Sequence, residues 1–108
     1  MIKLVVLYGH PDDPAAFDDY YESTHLPLAD NMPHVRRAEI AKALPGPDGS
    51  RPPFYRVTEV YYDSLEDLQA SEESPQGEAT RADLKNYATG GVTIFVADVL
   101  DRQAPGGR

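Results

Sequence analysis

The order in which strand-like and helix-like stretches follow one another constrains this chain most. Four runs read as strands, at 2–8, 35–43, 54–62 and 92–99, the clearest being 54–62 with its β-branched and aromatic residues. Between the first two, Asp13 reads as a helix N-cap and Pro14 as the first helical residue, where a missing N–H costs nothing. That helix is expected to reach about Leu26, because Pro27 removes the hydrogen bond to the Ser23 carbonyl and ends or kinks it. Leu44 to Pro53 holds four prolines and two glycines and reads as a loop. Ser64 followed by Asp67 opens a second helix, and Ser74-Pro75 breaks it. A further helical stretch over 76–88 turns Ala79, Leu84 and Tyr87 inward, and Gly90-Gly91 stops it.

The resulting order, β-α-β-β-α-β, is the ferredoxin-like arrangement of the α+β class. It predicts one domain over residues 1–100, with a disordered tail over 101–108. In the usual strand order 4-1-3-2 all neighbours are antiparallel and both helices cover one face. Both alternating sets of side chains in the first and fourth strands are largely apolar. The face without helices therefore needs a second cover, and a partner sheet in a homodimer supplies one.

Charge and composition narrow the functional classes. A net charge of −8 argues against nucleic acid, which calls for clustered Lys and Arg, and against anionic membrane surfaces. No apolar run is long enough for a membrane-spanning helix, and the first residues read as a strand rather than a signal peptide. The absence of cysteine removes disulfides, thiolate catalysis and cysteine-bound metals. The expected compartment is the cytoplasm.

The chemistry centres on one stripe. At 100° per residue, Phe17, Tyr20, Tyr21, Thr24, His25 and Leu28 fall within an arc of about 140°, and Asp18, Asp19 and Glu22 lie opposite. An imidazole at the edge of such a stripe titrates near neutral pH and can serve as an acid or base; it can equally be a satisfied core or capping residue. The topology puts His10 at one end of the sheet and His25 and His34 at the other, roughly 20 Å away. Together with the lack of a His-x-x-x-His spacing, this argues against a metal site. A cavity between sheet and first helix would gather His25, His34 and a tyrosine of the third strand, Tyr61 or Tyr62, lined by aromatic walls for a small hydrophobic ligand. Glu59, in a strand expected to be central, is either paired with Arg36 or Arg37 or a base with a raised pKa. No phosphate loop, nucleophile elbow or dinucleotide fingerprint is present, so the site is read as needing no cofactor.

The pattern Phe17-x-x-Tyr20-Tyr21-x-x-x-His25-x-Pro27-Leu28-Ala29 resembles the signature of the EthD family. The stretches Asp63-Ser64-Leu65-Glu66-Asp67-Leu68 and Ala82-Asp83-Leu84 through Val92-Thr93 are similar to bacterial members. The resemblance covers about residues 2–99 and implies a dimeric α/β barrel of ferredoxin-like protomers. The wider superfamily includes muconolactone isomerases, polyketide cyclases, quinone-forming monooxygenases, decarboxylases, dehydratases and haem-degrading enzymes. It implies proton transfer by a histidine and tyrosines, here His25 with Tyr21 or Tyr61. The expected site thus has His25 and Tyr61 in catalysis, with Phe17, Tyr21, His34, Tyr62 and Glu59 around the ligand. A non-catalytic small-molecule binder or dimerisation protein is the alternative.

Overall fold

The computed structural model describes residues 1–100, so the tail expected to be disordered lies outside the described residues. Four strands, β1 (Ile2–Tyr8), β2 (Arg37–Lys42), β3 (Arg56–Tyr62) and β4 (Val92–Asp98), form one sheet in the order β2-β3-β1-β4. All neighbours are antiparallel. This is the ferredoxin-like α+β topology. β1 matches its expected run, whereas β2, β3 and β4 are three, two and one residues shorter, with Val35, Arg36, Ala43, Phe54, Tyr55 and Val99 left to the connections.

The first helical segment departs from expectation in an instructive way. Helix α1 (Pro14–Tyr20), capped by the Asp13 side chain on the Ala16 N–H, does not stop before Pro27. It widens into a π-helical turn, Tyr21–His25, and continues as α2 (Leu26–Ala29). In the wide turn the Leu26 N–H donates to the Tyr21 carbonyl, five residues back. Pro27 then falls in the first turn of α2, where no N–H is required. Helix α3 (Leu65–Glu73) starts on Ser64, whose hydroxyl accepts from the Asp67 N–H. Helix α4 (Pro75–Asp83) starts on Ser74 and ends in a short 3₁₀ turn, Leu84–Asn86. Gly77 lets α4 begin against the end of α3: a Cβ there would collide with the Ser71 and Glu72 carbonyls.

Strand alternation divides the sheet into two faces. Leu4, Val6 and Tyr8 of β1, with Thr58, Val60 and Tyr62 of β3, face the helices; Lys3, Val5 and Leu7, with Val57, Glu59 and Tyr61, face away. The core on the helix side is aromatic: Tyr8, Phe17, Tyr21 and Tyr87 are buried around Val6. Tyr8 meets Phe17 edge-on at 5.4 Å, and Phe17 stacks on Tyr21 at 5.6 Å. Ring quadrupoles favour both geometries over a face-to-face sandwich. β4 stays exposed on both faces, with Ile94 at 44% and Phe95 at 48%. No helix among the described residues is long and apolar enough to cross a membrane.

Candidate functional site

The π-helical turn and the end of α4 meet at His25. Its Nδ1 lies 3.0 Å from Oδ2 of Asp83, and both residues are buried. The other Asp83 oxygen accepts from the Tyr20 hydroxyl at 2.6 Å and from Asn86 Nδ2 at 2.9 Å. Burial pushes the Asp83 carboxyl up, but the hydrogen bonds from Tyr20, Asn86 and His25 outweigh it, and the pKa ends below the ordinary value. Burial also lowers the His25 pKa below that of an ordinary histidine, and Asp83 offsets the shift only in part. The pair is therefore a neutral imidazole donating Nδ1–H to a carboxylate. That tautomer, assigned from the hydrogen-bond network, leaves Nε2 as a lone-pair acceptor. Nε2 has no hydrogen-bond partner among the described residues, and His25 is one of the residues lining a cavity.

The cavity lies between helices and sheet and has a volume of about 350 Å³. That is within the range of about 300–1,000 Å³ typical of small-molecule sites. Its walls are mostly apolar, with Leu4, Val60, Leu26, Met32, Ile40 and Leu84 among them. Hydroxyl groups gather beside the histidine. Tyr21, stacked on the His25 ring at 5.5 Å, shares a 2.6 Å hydrogen bond with Thr58. Tyr8 and Tyr87 share one of 2.7 Å, and the Tyr87 ring is 4.6 Å from His25. Burial raises the pKa of Tyr8, Tyr21 and Tyr87 above the ordinary phenol value, so all three stay protonated at neutral pH.

The structure sorts the residues singled out from the sequence. His25, Tyr21 and Tyr62 line the cavity; the Tyr62 hydroxyl is already spent on Ser71, 3.0 Å away. Phe17 is buried against Tyr8, Tyr21, Tyr55 and Tyr87 and does not line the cavity. His34 is half-exposed, has φ of 68°, and sits 3.9 Å from Asp67, whereas its neighbours Met32 and Val35 line the cavity. Tyr61 and Glu59 lie on the opposite face of the sheet. Consecutive strand residues point to opposite sides, so one of Tyr61 and Tyr62 must turn away from the helices, and it is Tyr61. Its hydroxyl reaches Glu39 at 2.9 Å and Glu59 at 3.1 Å. Glu59 pairs with Lys3 at 3.3 Å rather than with an arginine, because Arg36 is turned to Asp63 and Arg37 to Glu39. His10 bonds the Pro52 carbonyl at 2.7 Å, away from the cavity.

Asp83 did not emerge from the sequence as a site residue, although a signal was there. Asp83 stands four residues before Tyr87, which was expected to face inward; Ala79, expected inward as well, is exposed.

The EthD domain model matches residues 10–91, spanning both His25 and Asp83. The chain belongs to the EthD family. Its relatives include an uncharacterised 11.0 kDa protein of the thcB-thcC intergenic region of Rhodococcus erythropolis. It is 38% identical over 98 residues, covering 91% of this chain and 94% of the relative. An EthD family protein from Bacillus halodurans is 33% identical with a TM-score of 0.87, covering 93% of this chain and 99% of the other. At the level of fold alone, SnoaB, a cofactor-independent oxygenase from Streptomyces nogalater, matches at 12% identity with a TM-score of 0.67 over 94% of each chain.

Proposed function

We propose that this EthD protein is an enzyme that needs no cofactor and performs acid/base chemistry on a small hydrophobic cyclic or aromatic compound. The reaction is of the isomerase, cyclase, dehydratase or decarboxylase type. The observation that carries this reading is the buried Asp83–His25 pair with Nε2 left free on an apolar cavity. His25 Nε2 takes a proton from a carbon acidified by a neighbouring carbonyl. Asp83 then faces the imidazolium and stabilises it, and the proton returns to a second position of the ligand or to a leaving group. The developing oxyanion needs a donor. In the Tyr21–Thr58 pair one hydroxyl donates to the other, so the acceptor keeps its own proton to give to the ligand. SnoaB, a cofactor-independent oxygenase, supports the cofactor-free part of the reading by analogy of fold.

Proton exchange from cyclic ketones, lactones and hydroxyaromatic compounds in D₂O, followed by NMR, tests the reading. Wild-type protein is expected to accelerate exchange, and His25→Ala to lose the acceleration while staying folded. Equal exchange rates for the two proteins would overturn it.

The same reading includes a homodimer. Around the buried Val5, the side chains of Leu7, Val57 and Phe95 keep apolar surface open on the face without helices, and a second sheet is its natural cover. Sedimentation should give a dimer for the wild type and a monomer for Phe95→Asp; a monomeric wild type would remove the homodimer.

A further inference from the structure

Resting on the reading of the cavity as a ligand site, we propose that the Glu72–Arg81 pair makes it select uncharged cyclic or aromatic ligands bearing carbonyl or hydroxyl groups, and reject carboxylates of the same shape. Both residues line the cavity, Glu72 from α3 and Arg81 from α4. Arg81 Nη1 donates to Glu72 Oε2 at 3.2 Å and to the Glu72 carbonyl at 3.4 Å. The Glu72 side chain is 24% exposed, so its charge is felt inside the cavity more strongly than a surface charge would be. Arg81 is the one Lys or Arg side chain lining the cavity among the described residues; Asp30 adds a second carboxylate. Arg56, buried under the Tyr21 ring, does not line the cavity and is held by Asp18 at 2.8 Å.

An incoming carboxylate thus finds Arg81 Nη1 already held by Glu72 and two carboxylates on the wall. Burial keeps His25 neutral, so the imidazole supplies no compensating charge. A phenol, enol or ketone meets none of this repulsion and can use Nε2 of His25 and the Tyr21–Thr58 hydroxyls. Specificity here comes from a repulsive element as much as from an attractive one.

The test is titration of the full chain at pH 7.5 with 2-naphthol and with 2-naphthoate, followed by the ring resonances of His25. 2-Naphthol is expected to bind at least tenfold more tightly. Glu72→Gln, which releases Arg81 for the ligand, is expected to narrow that ratio at least tenfold. Equal or tighter binding of 2-naphthoate by the wild type overturns the inference while leaving the cavity reading in place. An unchanged ratio in Glu72→Gln overturns the role of the pair. If neither compound shifts the His25 resonances, the cavity reading falls and the inference with it.

Discussion

The two faces of the sheet carry the same kinds of groups and put them to opposite uses. Each holds tyrosine, carboxylate and basic groups within hydrogen-bond reach of one another. On the open face Tyr61 bridges Glu39 and Glu59, Lys3 joins Glu59 at 3.3 Å, and Arg37 lies 4.6 Å from the Tyr61 ring. Glu39 and Glu59 are directly opposed across β2 and β3, a like-charge pair that Lys3, Arg37 and Tyr61 compensate. Every member there is satisfied by another member. On the helix face Asp83 spends its oxygens on Tyr20, Asn86 and His25, and the last of these keeps a nitrogen unspent beside a cavity. Incomplete satisfaction next to a cavity, not the inventory of residues, separates the face on which we propose the chemistry from the other.

Four measurements break or sharpen that contrast. His25→Ala is expected to lower turnover by about 10²–10⁴-fold, the usual worth of a positioned general base, with the secondary structure kept in circular dichroism. Phe17→Ala removes the ring against which Tyr8, Tyr21 and Tyr87 are set. It is expected to cost about 3–5 kcal/mol of stability in a urea titration. A loss well under that figure would show that the aromatic cluster does not support the site.

The third measurement is pH dependence. Folded His25 resists protonation, so its contribution to stability is present above the ordinary histidine value of 6.5 and is lost as pH falls through its lower folded pKa. Asp83 adds a loss of the same sign in stronger acid, beginning below its ordinary value of 3.8. Stability should therefore decline from about pH 6.5 downward, and His25→Gln should remove the first part of the decline. Turnover should plateau at neutral pH, where Nε2 is free, and fall in acid. An optimum on the acid side would show that the imidazolium, not the imidazole, is the active form.

The smallest effect belongs to the open face. Glu59→Gln leaves the Tyr61 hydroxyl a partner and removes a half-buried ion pair, so stability should change by about 1 kcal/mol or less. Turnover should stay at the wild-type level. A large loss of turnover would place the chemistry on the face opposite the cavity.

Much of the framework could be read directly. The β-α-β-β-α-β order and the Asp13 and Ser64 helix starts are local features, governed by propensity and capping, and the strand neighbours are those that order usually takes. The helical period placed His25 on the inward side together with Tyr21. The π-helical turn was not legible, because Pro27 signals that a hydrogen bond is missing but not whether the helix stops or widens around it. The choice between Tyr61 and Tyr62 was not legible either. The two residues are adjacent, and a shift of one residue in register exchanges their faces.

By itself, then, the sequence determined the topology of the sheet, the aromatic stripe and the histidine at its edge. Those follow from periodicities that depend on a residue's near neighbours. Tertiary structure alone decided that Asp83, 58 positions away, holds that histidine, that Tyr62 rather than Tyr61 meets the cavity, and that Glu59 answers to Lys3. Contacts of that kind depend on how separate elements come to rest against one another, and no local pattern encodes them.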